Sequence, residues 1–219
     1  MPLPSIADKL KDERSFAFEL LRKMFITKTV RFEASRRLEK MHATSRLATS
    51  MLSFYVICIT VIELLFKQRG HTDNLLLPLA TIAAPVFILI IEAHEADKRY
   101  LVKADHMHRS AQTIHRLHSG LELMIVEAKL SLETMIRFNN EYQEILREFP
   151  QHHENVDYFY SRWLYREEFA ESSVGRLATF MRGPILRLVY VWLLPSLLIA
   201  APGTLIGFAI TALLGLPAK

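Results

Sequence analysis

The sequence predicts an all-α integral membrane protein: a transmembrane helical hairpin with long cytoplasmic helical extensions and a C-terminal membrane segment. Three apolar runs support this prediction. Residues 47–66 contain one charge in twenty positions, residues 74–91 contain none in eighteen, and residues 188–218 are thirty-one consecutive uncharged residues. Because about 20 apolar residues cross the hydrocarbon core as a helix, the first two runs fit one span each. The third run is too long and too apolar to remain in water.

Changes from charged to apolar sequence divide the chain into four parts. We expect a basic cytoplasmic helix over residues 1–46, a two-span hairpin over 47–91, a cytoplasmic helical region over 92–183 and a membrane segment over 184–219. Since no apolar signal region precedes the first span, we expect that span to insert as its own signal. The single cysteine, Cys58, lies in it, which argues against a disulfide or a cysteine-based metal site.

The distribution of basic residues predicts the orientation. Residues 1–46 carry eleven Lys or Arg against six acids, whereas the loop between the spans offers only Lys67 and Arg69. The positive-inside rule therefore places the N-terminus and residues 92–183 in the cytoplasm, and the loop outside.

Two long helices are predicted from the absence of breaking residues. One runs from about Asp8 into the first span, and the other continues beyond residue 91 to Pro150, weakened only at Ser119 and Gly120. Alternating spacings of three and four give the second helix a heptad seam. It is either a kinked helix packed on the N-terminal helix of the same chain or part of an intermolecular coiled coil. The seam residues are Tyr100, Ala104, Met107, Ala111, Ile114, His118, Leu121, Ile125, Ala128, Leu132, Met135, Asn139, Tyr142, Leu146 and Phe149.

An aromatic-rich helix is predicted beyond Pro150, from about Asp157 to Met181. Its amphipathic aromatic residues suit either the headgroup layer or the other cytoplasmic helices. Gly183 and Pro184 separate it from the last apolar segment, for which a single tilted and kinked span is favoured over a re-entrant hairpin. The aromatic residues in question are Tyr158, Tyr160, Trp163 and Tyr165.

A polar stripe along the first span is the main candidate site. Thr49, Ser53, Thr60 and Glu63 share one helix face, and ionisable residues within membranes usually serve a function. One interpretation is that this stripe lines a pore or a water-filled cavity. The alternative is that Glu63 snorkels to the interface and the hydroxyls contact neighbouring helices. In the second span, Pro78 and Pro85 are the candidate gating kinks.

Two clusters of titratable residues raise the question of metal binding. His115, His118 and Glu122 share one helix face, while His152, His153, Glu154 and Asp157 lie in one loop. A polar helix face and a capping role are the favoured interpretations, so we expect no metal site. Since no Walker A, dinucleotide-binding, G-x-S-x-G or H-E-x-x-H motif is present, we also expect no cofactor and no enzymatic activity.

The layout resembles a known family, the SLATT domains, which are two-span effectors of bacterial conflict systems. The matching features span about residues 15–165: the basic helix TKTVRFEASRRLEKMHATSRLATSMLSFYVICITVIELLF, the close second span, the helix EADKRYLVKADHMHRSAQTIHRLHSGLELMI and the turn PQHHENVDYFY. The turn is most similar to the branch that accompanies reverse transcriptases of retron type. The apolar tail after Pro184 departs from the two-span plan.

The resemblance implies an effector that perturbs the bacterial inner membrane and kills or arrests an infected cell. It implies contact with membrane lipid, a homo-oligomer, and a partner that restrains or triggers it. That partner is a reverse transcriptase with its non-coding RNA or a nucleotide second-messenger system. No sequence-specific binding to nucleic acid is expected. A housekeeping channel or transporter subunit and a structural membrane coiled-coil protein remain alternatives.

Overall fold

The computed structural model describes residues 6–68, 76–127, 129–169 and 181–193, together with Ser196, Ala200 and Thr204. These residues form helices and connecting turns, and no strand occurs among them. The chain divides into two compact units. Unit 1 comprises Met1–Glu39 and Leu101–Arg187, and unit 2 comprises Lys40–Tyr100 and Leu188–Lys219. The sequence-based division into four parts remains a prediction.

Five helices account for most of the described chain: α1 Ile6–Gln68, α2 Leu76–Asp97, α3 Tyr100–Val126, α4 Leu132–Glu148 and α5 Asn155–Leu164. Helix α1 confirms the predicted uninterrupted helix that leads into the first span. A short α-helical turn, Leu186–Leu188, lies between two π-helical turns, Met181–Ile185 and Val189–Leu193. Most of the predicted C-terminal span lies outside the described residues.

The interior of unit 1 is built by α1, α3 and α4. Its core cluster is Leu20, Met24, Ile114, Leu121, Phe138, Tyr142 and Ile145. A hydrogen bond of 2.7 Å joins the hydroxyls of Thr27 and Tyr142, and Lys28 lies 3.4 Å from the His115 ring nitrogen. Along α1, Phe25 and then Phe32 contact His118 and then His108 of α3, so the two helices are antiparallel.

The predicted single helix from residue 92 to Pro150 is wrong, because it is broken twice. Helix α2 ends at Asp97, and Arg99 takes a left-handed conformation with φ of 47°. A second break follows Val126, and Ser131 begins α4 by accepting a hydrogen bond from the Thr134 amide at 3.1 Å. Ser119 and Gly120 do not interrupt α3.

The predicted seam is therefore divided between two helices that both pack on α1. In α3 the expected residues from Ala104 to Leu121 are buried. In α4 the buried face shifts, since Phe138 and Ile145 are buried, Leu132 is exposed and Asn139 is half-buried. Packing on the N-terminal helix of the same chain is confirmed.

Helix α5 is shorter than predicted. It ends at Leu164, where the Tyr165 amide donates to the Ser161 carbonyl at 2.9 Å, and residues 165–169 form a turn. A Cβ atom at Gly183 would lie 2.8 Å from the Phe159 carbonyl oxygen. The turn Met181–Ile185 therefore needs glycine at this position to approach α5.

Unit 2 contains the C-terminal part of α1, all of α2 and the turn that follows. Among the described residues, one helix is long and apolar enough to cross a membrane, and it lies in the range Ser15–Leu65. Its most apolar stretch of 18 residues has a mean hydropathy of 1.9, and 11% of this stretch is buried. Large apolar side chains of α2 also face outward, among them Ile82, Phe87 and Leu89.

Candidate functional site

A polar contact inside the hairpin joins Glu63 of α1 to Thr81 of α2. The Thr81 hydroxyl donates to the carboxylate at 3.2 Å, and the Lys67 ammonium lies 2.9 Å from its other oxygen. The side chain of Glu63 is 13% exposed. The predicted pore residue is thus partnered within its own chain by a cation and a hydroxyl.

Sequence reasoning singled out Glu63 and did not find its partner Thr81. Sequence spacing predicts this pairing, because Glu63 and Thr81 lie nine positions before and after residue 72 in the short inter-span loop. Equal distances from the turn of an antiparallel hairpin place residues opposite one another.

The hydroxyls of the stripe bond to the backbone of their own helix. Thr49 donates to the Arg46 carbonyl at 3.1 Å, Ser53 to the Thr49 carbonyl at 3.1 Å and Thr60 to the Val56 carbonyl at 2.9 Å. Such bonds satisfy a hydroxyl without a second helix. Ser53 and Thr60 are exposed, whereas Thr49 is half-buried. Pore lining by this stripe remains a prediction.

The two candidate gating prolines occupy different parts of α2. Pro78 lies in the first turn of the helix, where the missing amide proton has no intrahelical acceptor to lose. Pro85 lies in the interior and removes one backbone hydrogen bond there. Gating at Pro78 or Pro85 remains a prediction.

Charged and hydroxyl groups also gather at the other end of the hairpin, away from the inter-span loop. The Ser45 hydroxyl donates to Glu95 at 2.7 Å, and Glu95 also pairs with the ammonium group of Lys98. Lys98 lies 5.7 Å from the centre of the Tyr100 ring. Although burial opposes it, hydrogen bonding from Lys98 and Ser45 holds the pKa of Glu95 below its usual value.

Two arginines of the basic segment 1–46, Arg31 and Arg37, are buried in unit 1 and form hydrogen bonds there. Arg37 donates to both carboxylate oxygens of Asp157, at 2.8 and 3.1 Å, and lies 3.1 Å from Glu154. Burial alone would lower the pKa of Arg37, but these carboxylates raise it. Arg31 donates to the Ser110 hydroxyl and, at 3.2 Å, to the Phe149 carbonyl.

A second buried pair ties the end of unit 1 to α1. The Arg187 guanidinium lies 2.6 Å from Glu33 and 3.9 Å from the centre of the Tyr160 ring. Tyr165 also contacts α1, with its ring 5.9 Å from that of Phe25. These aromatic residues therefore pack on other helices of the same unit.

The titratable clusters have structural roles. Glu154 and Asp157 form a capping box at the start of α5, as the capping interpretation predicted. His118 is buried beside Phe25 and lies 3.3 Å from Glu122, whereas His115 contacts Lys28. Among the residues that the structure describes, no group of three His, Cys, Asp or Glu could hold a metal ion.

Comparison with family models decides the family. The model of the SMODS and SLOG-associating 2TM effector domain family 5, SLATT_5, matches residues 13–208. The chain belongs to this SLATT family. It is therefore a membrane effector of the kind found in conflict systems, and the family resemblance is confirmed. Comparison with curated proteins and with solved structures finds no match.

Membership in the SLATT family explains the outward apolar surface of unit 2 as a surface that contacts lipid. A two-transmembrane effector presents such side chains to lipid, which explains why Ile57, Ile82 and Leu89 are exposed. The match also extends over α3, α4 and α5, so these helices belong to the family domain.

Proposed function

We propose that the chain is the membrane effector of a bacterial antiphage defence system. When triggered, it oligomerises and permeabilises the inner membrane, so that the infected cell stops growing before phage is released. The observation that carries this proposal is the match to a two-transmembrane effector family over residues 13–208. The protein acts without catalysis, and its N-terminus and unit 1 lie in the cytoplasm.

The described hairpin supports a closed resting form. One hairpin encloses no channel by itself, so conduction requires several copies around an axis. In the resting form Glu63 is held by Thr81 and Lys67, and opening releases it toward water. A ring of Glu63 carboxylates, with Thr60 and Ser53 on the same face, would favour the passage of cations.

Membrane depolarisation after induced expression tests the pore. We compare the parent with Glu63→Gln and Thr60→Leu at equal membrane abundance, using Ile57→Leu as the lipid-facing control. Reduced depolarisation or altered ion preference in the two stripe variants, with a normal control, is expected. Parental depolarisation in both stripe variants would exclude the stripe as the ion path.

Thr81→Val sharpens the test of the closed form. This variant keeps the side-chain shape and removes the hydroxyl that Glu63 accepts from. We expect depolarisation at lower expression than in the parent, because one contact that holds the closed form is lost. Depolarisation that requires more expression than the parent would contradict this role.

A sensor encoded beside the gene is proposed to restrain or trigger the effector. It is a reverse transcriptase with its non-coding RNA or a nucleotide second-messenger system, and it contacts unit 1. Expression of the effector alone should be more toxic than co-expression with the neighbouring genes, and only the complete set should protect against phage. Equal growth and no protection would favour a housekeeping channel.

A further inference from the structure

A cavity of about 360 Å³ lies within unit 2, at the end of the hairpin away from the inter-span loop. This volume is within the range of about 300–1,000 Å³ that is typical of small-molecule sites. Its walls come from α1, from the end of α2 with the following turn, and from Val189–Leu193. The residues that line it include Ser45, Ala48, Leu52, Ile91, Glu95 and Lys98.

The cavity is apolar toward the middle of the hairpin and polar at its other end. Leu52 and Ile91 lie inside the two apolar runs of the sequence, and Ala48 lies one turn before Leu52. Glu95, Lys98 and Tyr100 follow the second apolar run and contribute a carboxylate, an ammonium and a phenol. The polarity therefore changes at the level where a bilayer changes from acyl chains to headgroups.

The charges at the polar end are of opposite sign and adjacent. Glu95 accepts from Ser45 and pairs with Lys98, so the site has no net charge. A purely anionic headgroup would meet Lys98 but be repelled by Glu95. A zwitterion that carries a phosphate and an ammonium is complementary to both groups.

We propose that this cavity binds one phospholipid with a zwitterionic phosphoethanolamine headgroup. The phosphate lies beside Lys98, the ammonium lies beside Glu95, and one acyl chain follows Ala48, Leu52 and Ile91. The site requires that the hairpin be in a bilayer and does not depend on a pore. Its failure would therefore leave the proposed permeabilisation untouched.

Lipid retained by the purified full chain tests the proposal. The protein is extracted from membranes in mild detergent, and bound phospholipids are quantified by mass spectrometry. We expect phosphatidylethanolamine to be retained over phosphatidylglycerol. Loss of a charged contact in Lys98→Met or Glu95→Gln should reduce retention about tenfold or more. Ala48→Phe should reduce retention as well, because Ala48 is buried in the cavity wall.

Lys67→Met is the matched control, since Lys67 forms a similar ion pair with Glu63 at the opposite end of the hairpin. Its retention should equal that of the parent. Dihexanoyl phosphatidylethanolamine should displace the retained lipid, whereas dihexanoyl phosphatidylglycerol and inorganic phosphate should not.

Equal retention in the parent and in both charge variants would overturn the proposal, and so would displacement by phosphate alone. Ala48→Phe counts only if its helical circular dichroism matches the parent. If it does not, Lys98→Met and Glu95→Gln decide the result by themselves.

Discussion

Unit 1 and unit 2 differ in where they place their large apolar side chains. Unit 1 packs Met24, Ile114 and Met135 inside and also buries Arg37 against Asp157. Unit 2 directs large apolar residues outward, with Ile57 62% and Ile82 69% exposed. In water, apolar surface is buried and buried charges need partners, whereas lipid solvates apolar side chains. The contrast shows one chain folded for two solvents.

The largest expected effect concerns the buried ion pair of unit 1. The side chains of Arg37 and Asp157 are 3% and 0% exposed, so Asp157→Ala leaves a buried charge without its main partner. We expect a loss of about 3–5 kcal/mol in the free energy of unfolding. Denaturant unfolding followed by Trp163 fluorescence, in a Trp192→Phe background, measures it.

Glu154→Gln is the control for this pair. Glu154 also lies near Arg37, but its side chain is 54% exposed, and an exposed ion pair contributes at most about 1 kcal/mol. Similar losses for the two variants would mean that the interior of unit 1 is accessible to water.

A lysine on the outward face of unit 2 tests whether lipid contacts that face. Ile82 lies near the middle of the second apolar run, where a lysine costs about 2.5–3.5 kcal/mol of membrane insertion. Ile82→Lys should therefore lower the membrane-inserted fraction, measured by alkaline extraction of membranes. Leu132→Lys, on the exposed surface of unit 1, should insert normally. Normal insertion of both would mean that lipid does not contact this face of α2.

A smaller effect follows from the two histidines of unit 1 that have lowered pKa values. Burial is the main cause for His118, reinforced by Lys28 and His115 and opposed by Glu122. Burial likewise lowers the pKa of His153. The unfolded chain then binds more protons than the folded chain below about pH 6.5, so stability is complete above that pH and declines as pH falls.

Each of these histidines contributes at most about 1.4 kcal/mol per pH unit. His118→Gln should reduce the loss of stability between pH 7.5 and 5.5, measured with the same Trp163 signal. His108→Gln is the control, because His108 is exposed on α3. An unchanged pH dependence in the His118 variant would mean that this ring binds its proton as readily in the folded chain as in the unfolded chain.

The smallest effect is expected at the start of α3. Arg99 has φ of 47°, a conformation that costs a side-chain-bearing residue about 1–2 kcal/mol. Glycine removes this cost and adds chain entropy of about 0.5–1 kcal/mol to the unfolded state. Arg99→Gly should therefore be neutral or stabilising by up to about 1.5 kcal/mol. Lys103→Gly, inside α3, should destabilise, and thermal unfolding in detergent compares the two.

The helical membrane architecture could be predicted because its signals are local. Apolar runs and the absence of glycine and proline predicted α1, and the spacing of Ala104 to Leu121 predicted the buried face of α3. The breaks at Arg99 and before Ser131 contain neither glycine nor proline among their described residues, so composition did not reveal them.

The partners of the buried arginines lie far away in the chain. Arg37 and Asp157 are 120 residues apart, and Arg187 and Glu33 are 154 apart. In the sequence, the basic residues of segment 1–46 predicted only the orientation in the membrane. The fold reveals that two of them, Arg31 and Arg37, are also buried in the interior of unit 1.

The discontinuity of unit 1 has a consequence for synthesis on the ribosome. Residues 40–100 are translated between its two parts, so Arg37 emerges long before Asp157 exists. At about 5–20 residues per second, the 120 residues between them take roughly 6–24 s. Throughout this interval the N-terminal part of α1 lacks the partners that will cover it in unit 1, while the two-span hairpin is already available to the insertion machinery. Residues 40–100 can therefore enter the membrane before unit 1 closes, and a chain released early would expose the apolar side of α1 to chaperones.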